Sequence, residues 1–208
     1  WHKDVQSLCD SLYYNSKDAT AQMFGAPIIW NENNQITGES IKMYIKNKNV
    51  DKVDVIGSAF IFSKNDTLAI NQVSGKLITA YISDGKLYKA DVSGNALSVY
   101  FVEDEPDSTQ VNAPKEYVGI NRAESSELRL YFGEGNKIEK IIMTPNSNGI
   151  MHTPNKISEP TISKLKGYAD YEYIRPKDKY DIYNYKNKKA LEEAITNSKT
   201  SKRRRTEY

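Results

Sequence analysis

The chain has one cysteine, Cys9, and two histidines, so its composition excludes several kinds of site. A zinc site needs several Cys or His ligands, and a disulfide needs a second cysteine. No stretch approaches the ~18 consecutive apolar residues of a membrane-spanning helix. There is also no phosphate-binding glycine loop, G-x-S-x-G elbow, C-x-x-C pair or H-E-x-x-H motif. We therefore expect a non-enzymatic protein without a metal or cofactor.

The composition still allows one catalytic pair, a cysteine nucleophile with a histidine. His2 lies at the start of the chain, which leaves His152 as the candidate interior imidazole and Cys9 as its possible nucleophile. The alternative is that Cys9 is a small buried thiol.

The net charge of +2 comes from the C-terminus. Residues 186–208 carry eight Lys/Arg and three Glu, a charge of +5, so the other 185 residues carry −3. A nucleic-acid binder usually has its basic surface on the folded domain, so we expect no nucleic-acid partner. The sequence predicts one domain at 1–185 and a basic tail at 186–208, with a short helix at 188–196 before a disordered end. The basic cluster at 202–205 is either a solvated chain end or a site for anionic lipid or nucleic acid.

The predicted domain contains an internal sequence repeat. Residues 38–59 and 75–96 align without a gap, offset by 37 positions, and nine of 22 positions are identical. A looser copy covers 125–145, and a degenerate one ends near Gly25. Two segments interrupt the repeat pattern, the acidic segment 103–115 and the segment 153–160. Both are predicted to be loops.

Each copy is predicted to be a β-hairpin, because apolar and polar residues alternate with a period of two. Glycines at positions 57 and 94 indicate bends in the return arms. Repeated short strands favour an all-β jellyroll with one shared interior. The residues predicted to face that interior, and to line a lipid groove if it is open, are Ile41, Met43, Ile45, Val53, Val55, Ile78, Ala80, Ile82, Val92, Leu128, Leu130, Phe132, Ile141 and Met143.

Each face of these hairpins has two interpretations. The apolar face is either a filled core or a trough for acyl chains. Tyr44, Tyr81 and Tyr131 either stack on sugars or bases or form a packed outer ladder. Asp54 and Asp91 are either paired carboxylates for acid–base chemistry or cation binding, or members of a solvated face of alternating charge.

The segments 9–45, 53–61, 73–96 and 123–145 together resemble the OstA-like family, which includes LptA and the N-terminal domain of LptD. The resemblance covers roughly residues 9–153, and 164–183 is similar to the closing segment of stand-alone members of the family. It implies an antiparallel β-jellyroll open at both ends, a periplasmic location in a Gram-negative cell, and lipopolysaccharide or another acylated amphiphile as ligand. It also implies head-to-tail self-association or pairing with other jellyroll proteins of lipopolysaccharide export. No signal peptide is visible in the chain, which starts at Trp1.

Three functions therefore compete. The first is a periplasmic carrier or bridge for an acylated amphiphile. The second is a scaffold that pairs through its edge strands with an outer-membrane or lipopolysaccharide-export partner and binds no lipid. The third, a nucleic-acid binder, would need the tyrosines and the basic tail.

Overall fold

The computed structural model describes residues 5–64, 66–104, 116–133 and 138–181. Twelve strands in these ranges form one antiparallel sheet. In chain order they are β1 (Val5–Leu8), β2 (Ser11–Asn15), β3 (Thr20–Phe24), β4 (Ile28–Asn31), β5 (Asn34–Thr37), β6 (Ser40–Lys46), β7 (Asn49–Lys64), β8 (Ile70–Ser83), β9 (Lys86–Glu103), β10 (Tyr117–Phe132), β11 (Ile138–Thr144) and β12 (Asn148–His152).

The four long strands β7 to β10 belong to two half-sheets. The first part of β7 pairs with β6 and its last part with β5, whereas the first part of β10 pairs with β12 and its last part with β11. The first half-sheet therefore runs β2-β3-β6-β7-β8-β9-β10-β11, and the second runs β1-β4-β5-β7-β8-β9-β10-β12. Apolar side chains of both half-sheets meet in one core. The predicted all-β jellyroll of repeated hairpins is confirmed.

The corner between the half-sheets lies where the repeats place their glycines. Gly57 and Gly94 have φ angles of 71° and 77°, and the residues after them, Ser58 and Asn95, are also in the left-handed region. The β7–β8 register shifts at the same place, between Ile56 and Ala59. Because residues with a Cβ rarely adopt this conformation, glycine begins each bend. The bends predicted at Gly57 and Gly94 are confirmed.

The hairpin turns form the opposite end of the first half-sheet, which we call the tips. The two residues between β6 and β7, Asn47 and Lys48, both have positive φ, as do Asp84 and Gly85 between β8 and β9. This is the geometry of a type I′ turn, whose twist matches that of the flanking strands.

A C-terminal segment at 162–175, which we call the strap, lies across the outer face of the second half-sheet. It follows a 3₁₀ turn (Pro154–Lys156), begins within the short helix α1 (Pro160–Ser163) and contains a second 3₁₀ turn (Glu172–Ile174). Leu165 and Tyr168 of the strap pack on Phe60, Phe62 and other apolar side chains of that face. The predicted loop at 153–160 therefore contains the first 3₁₀ turn and the start of α1.

Several predictions lie outside the described residues. These are the domain boundary between 185 and 186, the basic tail at 186–208, the helix at 188–196, and most of the acidic loop at 103–115. They remain predictions. None of the helices in the described ranges is long and apolar enough to cross a membrane.

Candidate apolar groove between the half-sheets

The inner face of the first half-sheet carries three cross-strand rows of apolar side chains. The corner row is nearest the bends, the tip row is nearest the turns, and the middle row lies between them. The corner row is Met23, Ile41, Val55, Ile78, Val92, Leu128 and Met143. The middle row is Ala21, Met43, Val53, Ala80, Ala90, Leu130 and Ile141. The tip row is Ile45, Val50, Ile82, Leu87, Phe132 and Ile138.

All fourteen residues predicted for the interior fall in these rows. Eight of them are buried in the core: Ile41, Val53, Val55, Ile78, Ala80, Val92, Leu128 and Leu130. Another four pack against it while partly exposed: Met43, Ile82, Phe132 and Met143. Ile45 is partly exposed opposite Val50, and Ile141 is 39% exposed opposite Leu130. That these fourteen residues contact a lipid stays a prediction.

The sequence did not indicate three residues of the tip row. Each hairpin has a bulge near its turn, at Asp51, Tyr88 or Glu139, where the register shifts by one residue. The extra residue reverses the alternation of inward and outward side chains, so Val50, Leu87 and Ile138 face inward. Simple alternation from the inward residue Val53 would have placed Val50 on the outer face. No period-two signal could have found them.

Burial along the inner face falls steadily from the corner to the tips. Apart from the edge residue Met143, corner-row side chains are between 0 and 2% exposed. The buried members of the middle row are between 3 and 8% exposed, and every tip-row residue is partly exposed. Ile29, Ala59 and Ala96 of the second half-sheet close the corner from the other side. The interior is therefore a packed core at the corner that becomes an open apolar wall at the tips.

The outer face of the first half-sheet carries the tyrosines. One row crosses six strands as Tyr44, Lys52, Tyr81, Lys89, Tyr131 and Lys140, and we call it the Tyr–Lys row. The ammonium of Lys52 lies 3.9 Å from the Tyr44 ring centroid, and that of Lys89 lies 4.6 Å from the Tyr81 centroid. These are cation–π distances. The tyrosines thus form an outer ladder interleaved with lysines.

The next row toward the corner, the ion-pair row, contains the two candidate carboxylates. It runs Lys42, Asp54, Thr79, Asp91, Arg129 and Ile142. Asp54 and Asp91 are separated by the strand of Thr79, whose hydroxyl donates to Asp54 at 2.9 Å. Each carboxylate has its own lysine, at 3.4 Å for Lys52–Asp54 and 2.7 Å for Lys89–Asp91. They do not form a catalytic carboxylate pair.

The charges around Asp91 also argue against acid–base catalysis by this residue. Burial by itself would raise the pKa of this carboxyl, but hydrogen bonds from Lys89 and Arg129 hold it below its ordinary value. A carboxylate kept ionised by two cations is a poor general base at neutral pH. The described residues contain no cluster of His, Cys, Asp and Glu that could hold a metal ion.

The structure also separates the candidate nucleophile pair. Cys9 follows β1 and packs against the core, whereas His152 ends β12 opposite Ile120. Strands β1 and β12 form opposite edges of the second half-sheet. Burial, helped by the nearby Asp10 carboxylate, raises the pKa of the Cys9 thiol. Of the two interpretations, the small packed thiol is the one that fits, although Cys9 is only partly buried.

Comparison with known proteins gives a likeness to solved structures. No family model matches the chain, and no curated protein matches it. Among solved structures, the chain is similar to LptH from Pseudomonas aeruginosa, described as the LptA homologous periplasmic component of the conserved lipopolysaccharide transport device. The TM-score is 0.45 and the identity 14%, over 69% of this chain and 100% of that one.

Proposed function

We propose that this protein is a non-enzymatic periplasmic carrier or bridge that holds the acyl chains of a lipopolysaccharide-type amphiphile against the inner face of the first half-sheet. The observation that carries the proposal is the graded inner face, where contiguous apolar rows are packed at the corner and exposed at the tips. Lipopolysaccharide as the ligand, and the periplasm as the location, are inferred from the OstA-like resemblance of the sequence.

An apolar wall is sufficient for this task. An acyl chain gains about 0.8 kcal/mol for each CH₂ that it removes from water, without any specific hydrogen bond. The tip row and the exposed part of the middle row offer such a wall on neighbouring strands, and no charged side chain stands within these rows. Chains would enter at the tips, where Leu87 and Phe132 are still partly exposed.

The experiment uses two adjacent isoleucines of β11. Ile141 lies on the inner face opposite Leu130, whereas Ile142 lies on the outer face opposite Arg129. A photo-crosslinking residue replaces Leu87 in the tip row, and crosslinking to lipopolysaccharide is compared for Ile141→Asp and Ile142→Asp. A charge on the wall opposes lipid binding because its desolvation is costly, so crosslinking should fall for Ile141→Asp and persist for Ile142→Asp. Circular dichroism first confirms that each variant is folded.

A scaffold without lipid is the second candidate, and two observations favour it. The corner row leaves Ile41, Val55 and Ile78 fully buried, so that part of the interior is already filled. Strand β2 is an edge of the first half-sheet, and Leu12, Tyr13 and Tyr14 on it are 59–62% exposed. An exposed edge can pair with a strand of another chain, such as the β11 edge of a second copy. If the unsubstituted inner face fails to crosslink, or if folded Ile141→Asp crosslinks as well as Ile142→Asp, the scaffold replaces the carrier.

A further inference from the structure

The two outer faces of the jellyroll differ in what covers them. On the second half-sheet, the strap buries Phe62, Val99 and Phe101 to 2% exposure or less. On the first half-sheet, the Tyr–Lys row and the ion-pair row stay partly or fully exposed, and no described segment packs over them. One broad face of the molecule is therefore closed and the other is open.

The open face has an excess of positive charge toward the tips. The Tyr–Lys row and the ion-pair row together contain five cations (Lys42, Lys52, Lys89, Arg129 and Lys140) and two carboxylates (Asp54 and Asp91). Both carboxylates are already paired with cations. These two rows together are therefore complementary to a negatively charged partner.

Apolar and aromatic surface accompanies this charge. The row beyond the ion-pair row, nearest the corner, runs Phe24, Ser40, Ile56, Leu77, Ser93 and Glu127, and its Phe24 and Ile56 are 39% and 40% exposed. At the other end, Tyr88 is 47% exposed and its ring centroid lies 6.3 Å from that of Tyr81. Tyrosine combines an apolar ring with a polar tip, which suits the headgroup level of a bilayer.

The shape of the face selects among anionic partners. Eight strands spaced about 4.8 Å apart make a surface roughly 34 Å wide, and the charged rows cross six of these strands, or about 24 Å. A single nucleic-acid strand is normally held in a positively charged groove that follows its backbone. A broad face with cations, tyrosines and exposed aliphatic side chains matches a lipid surface better.

We propose that the outer face of the first half-sheet docks on a membrane surface that contains anionic phospholipids. This goes beyond the proposed carrier function and does not depend on it. Tyr44, Tyr81 and Tyr131 each precede a tip-row residue of the inner face along the chain. Docking would thus place the open end of the groove beside the bilayer.

The test measures binding of the full chain to vesicles made from equal amounts of phosphatidylglycerol and phosphatidylcholine, and to vesicles of phosphatidylcholine alone. The variant Lys42→Glu/Lys140→Glu changes the open face by four charges. Each charge near an anionic surface is worth about fivefold in affinity, so binding to the anionic vesicles should weaken by at least about 100-fold. The matched control, Lys166→Glu/Lys177→Glu, makes the same change on exposed lysines of or beside the strap, and we expect less than about a tenfold loss.

Both variants keep the basic C-terminal residues, so binding through those residues would affect them equally. Equal affinities of the two variants would overturn the proposal, as would equal binding of the unsubstituted chain to the two kinds of vesicle. Displacement from anionic vesicles by a single-stranded oligonucleotide at lower concentration than by soluble phosphatidylglycerol would also overturn it, in favour of nucleic acid. None of these results depends on crosslinking at the inner face.

Discussion

The side-chain amide of Gln72 on β8 holds the backbone of Leu165 in the strap. Gln72 Oε1 accepts from the Leu165 N–H at 2.8 Å, and Gln72 Nε2 donates to the Ser163 carbonyl at 2.7 Å. Gln35 does the same for the Tyr171 N–H and the Ala169 carbonyl, both at 2.8 Å. Such paired bonds attach the strap through its main chain.

These glutamines belong to one cross-strand row of the second half-sheet, which alternates polar and apolar residues. The row is Gln6, Trp30, Gln35, Phe62, Gln72, Val99, Arg122 and Ile150. Its other polar members also bind the C-terminal segment, since Gln6 accepts from Arg175 and Arg122 donates to the Ile162 and Lys164 carbonyls. Gln35, Gln72 and Arg122 thus satisfy the strap backbone, Gln6 holds the Arg175 side chain, and the apolar side chains between them provide buried area.

Gln72→Leu should therefore destabilise the protein. The substitution leaves one backbone N–H and one carbonyl of the strap without their partner in a buried site, which costs about 2–4 kcal/mol in the free energy of unfolding. Urea denaturation measures the loss, and tryptic cleavage after Lys164 or Lys166 should accelerate as the strap detaches. Gln22→Leu, at a partly exposed position on the open face, should change stability by less than about 0.5 kcal/mol. Equal stabilities of the two variants would contradict this account of the strap.

The corner glycines give a second prediction. At Gly57, φ is 71° and a Cβ would lie 2.5 Å from the Glu39 side chain, and at Gly94 it would lie 2.7 Å from Lys76. Left-handed backbone costs a residue with a Cβ about 1–2 kcal/mol, so Gly57→Ala and Gly94→Ala should each lower the free energy of unfolding by at least that much. Gly149→Ala is the control, because its nearest neighbour would be the Ala123 Cβ at 3.9 Å. Unchanged melting temperatures for both corner variants would show that the bends tolerate a side chain.

The ion pairs of Asp91 predict a dependence of stability on acid. Because the pKa of Asp91 is lowered on folding, its stabilising effect is complete above its unfolded value near 3.8 and is lost as the pH falls through the folded value. The stability advantage of the unsubstituted chain over Asp91→Asn should therefore shrink as the pH drops below about 4. Chemical denaturation across this range measures it. In a Lys89→Met/Arg129→Met background only burial acts on Asp91 and raises its pKa, so the advantage should no longer shrink in acid. A decrease that persists there would assign the effect to another group.

A corresponding prediction applies at high pH. Burial and a 2.5 Å hydrogen bond to Asp66 raise the pKa of the Tyr117 phenol well above its ordinary value of 10.0. A raised pKa means that the folded state keeps a proton that the unfolded state loses, so stability should fall as the pH rises above 10. Tyr117→Phe should show a smaller fall, measured by urea denaturation at alkaline pH. An unchanged slope would mean that other groups dominate the alkaline range.

The sequence by itself determined the hairpin repeat, the side of each first arm that faces inward, and the position of the corner. These features are local: Ile41 and Ile78 alternate with polar neighbours, and Gly57 and Gly94 are where the backbone takes a left-handed conformation. Period-two alternation specifies the two faces of a strand because successive side chains point to opposite sides.

Only the tertiary structure decided which faces are covered and how deeply. Gln6, Gln35 and Gln72 have the polar character of solvent-facing strand positions, yet each is at most 4% exposed because a segment about 90 or more residues later in the chain lies over them. The fall in burial from Ile41 to Ile45 likewise depends on how far the second half-sheet extends over the first. Alternation along one strand distinguishes its two faces, but it carries no information about what another part of the chain places on either face.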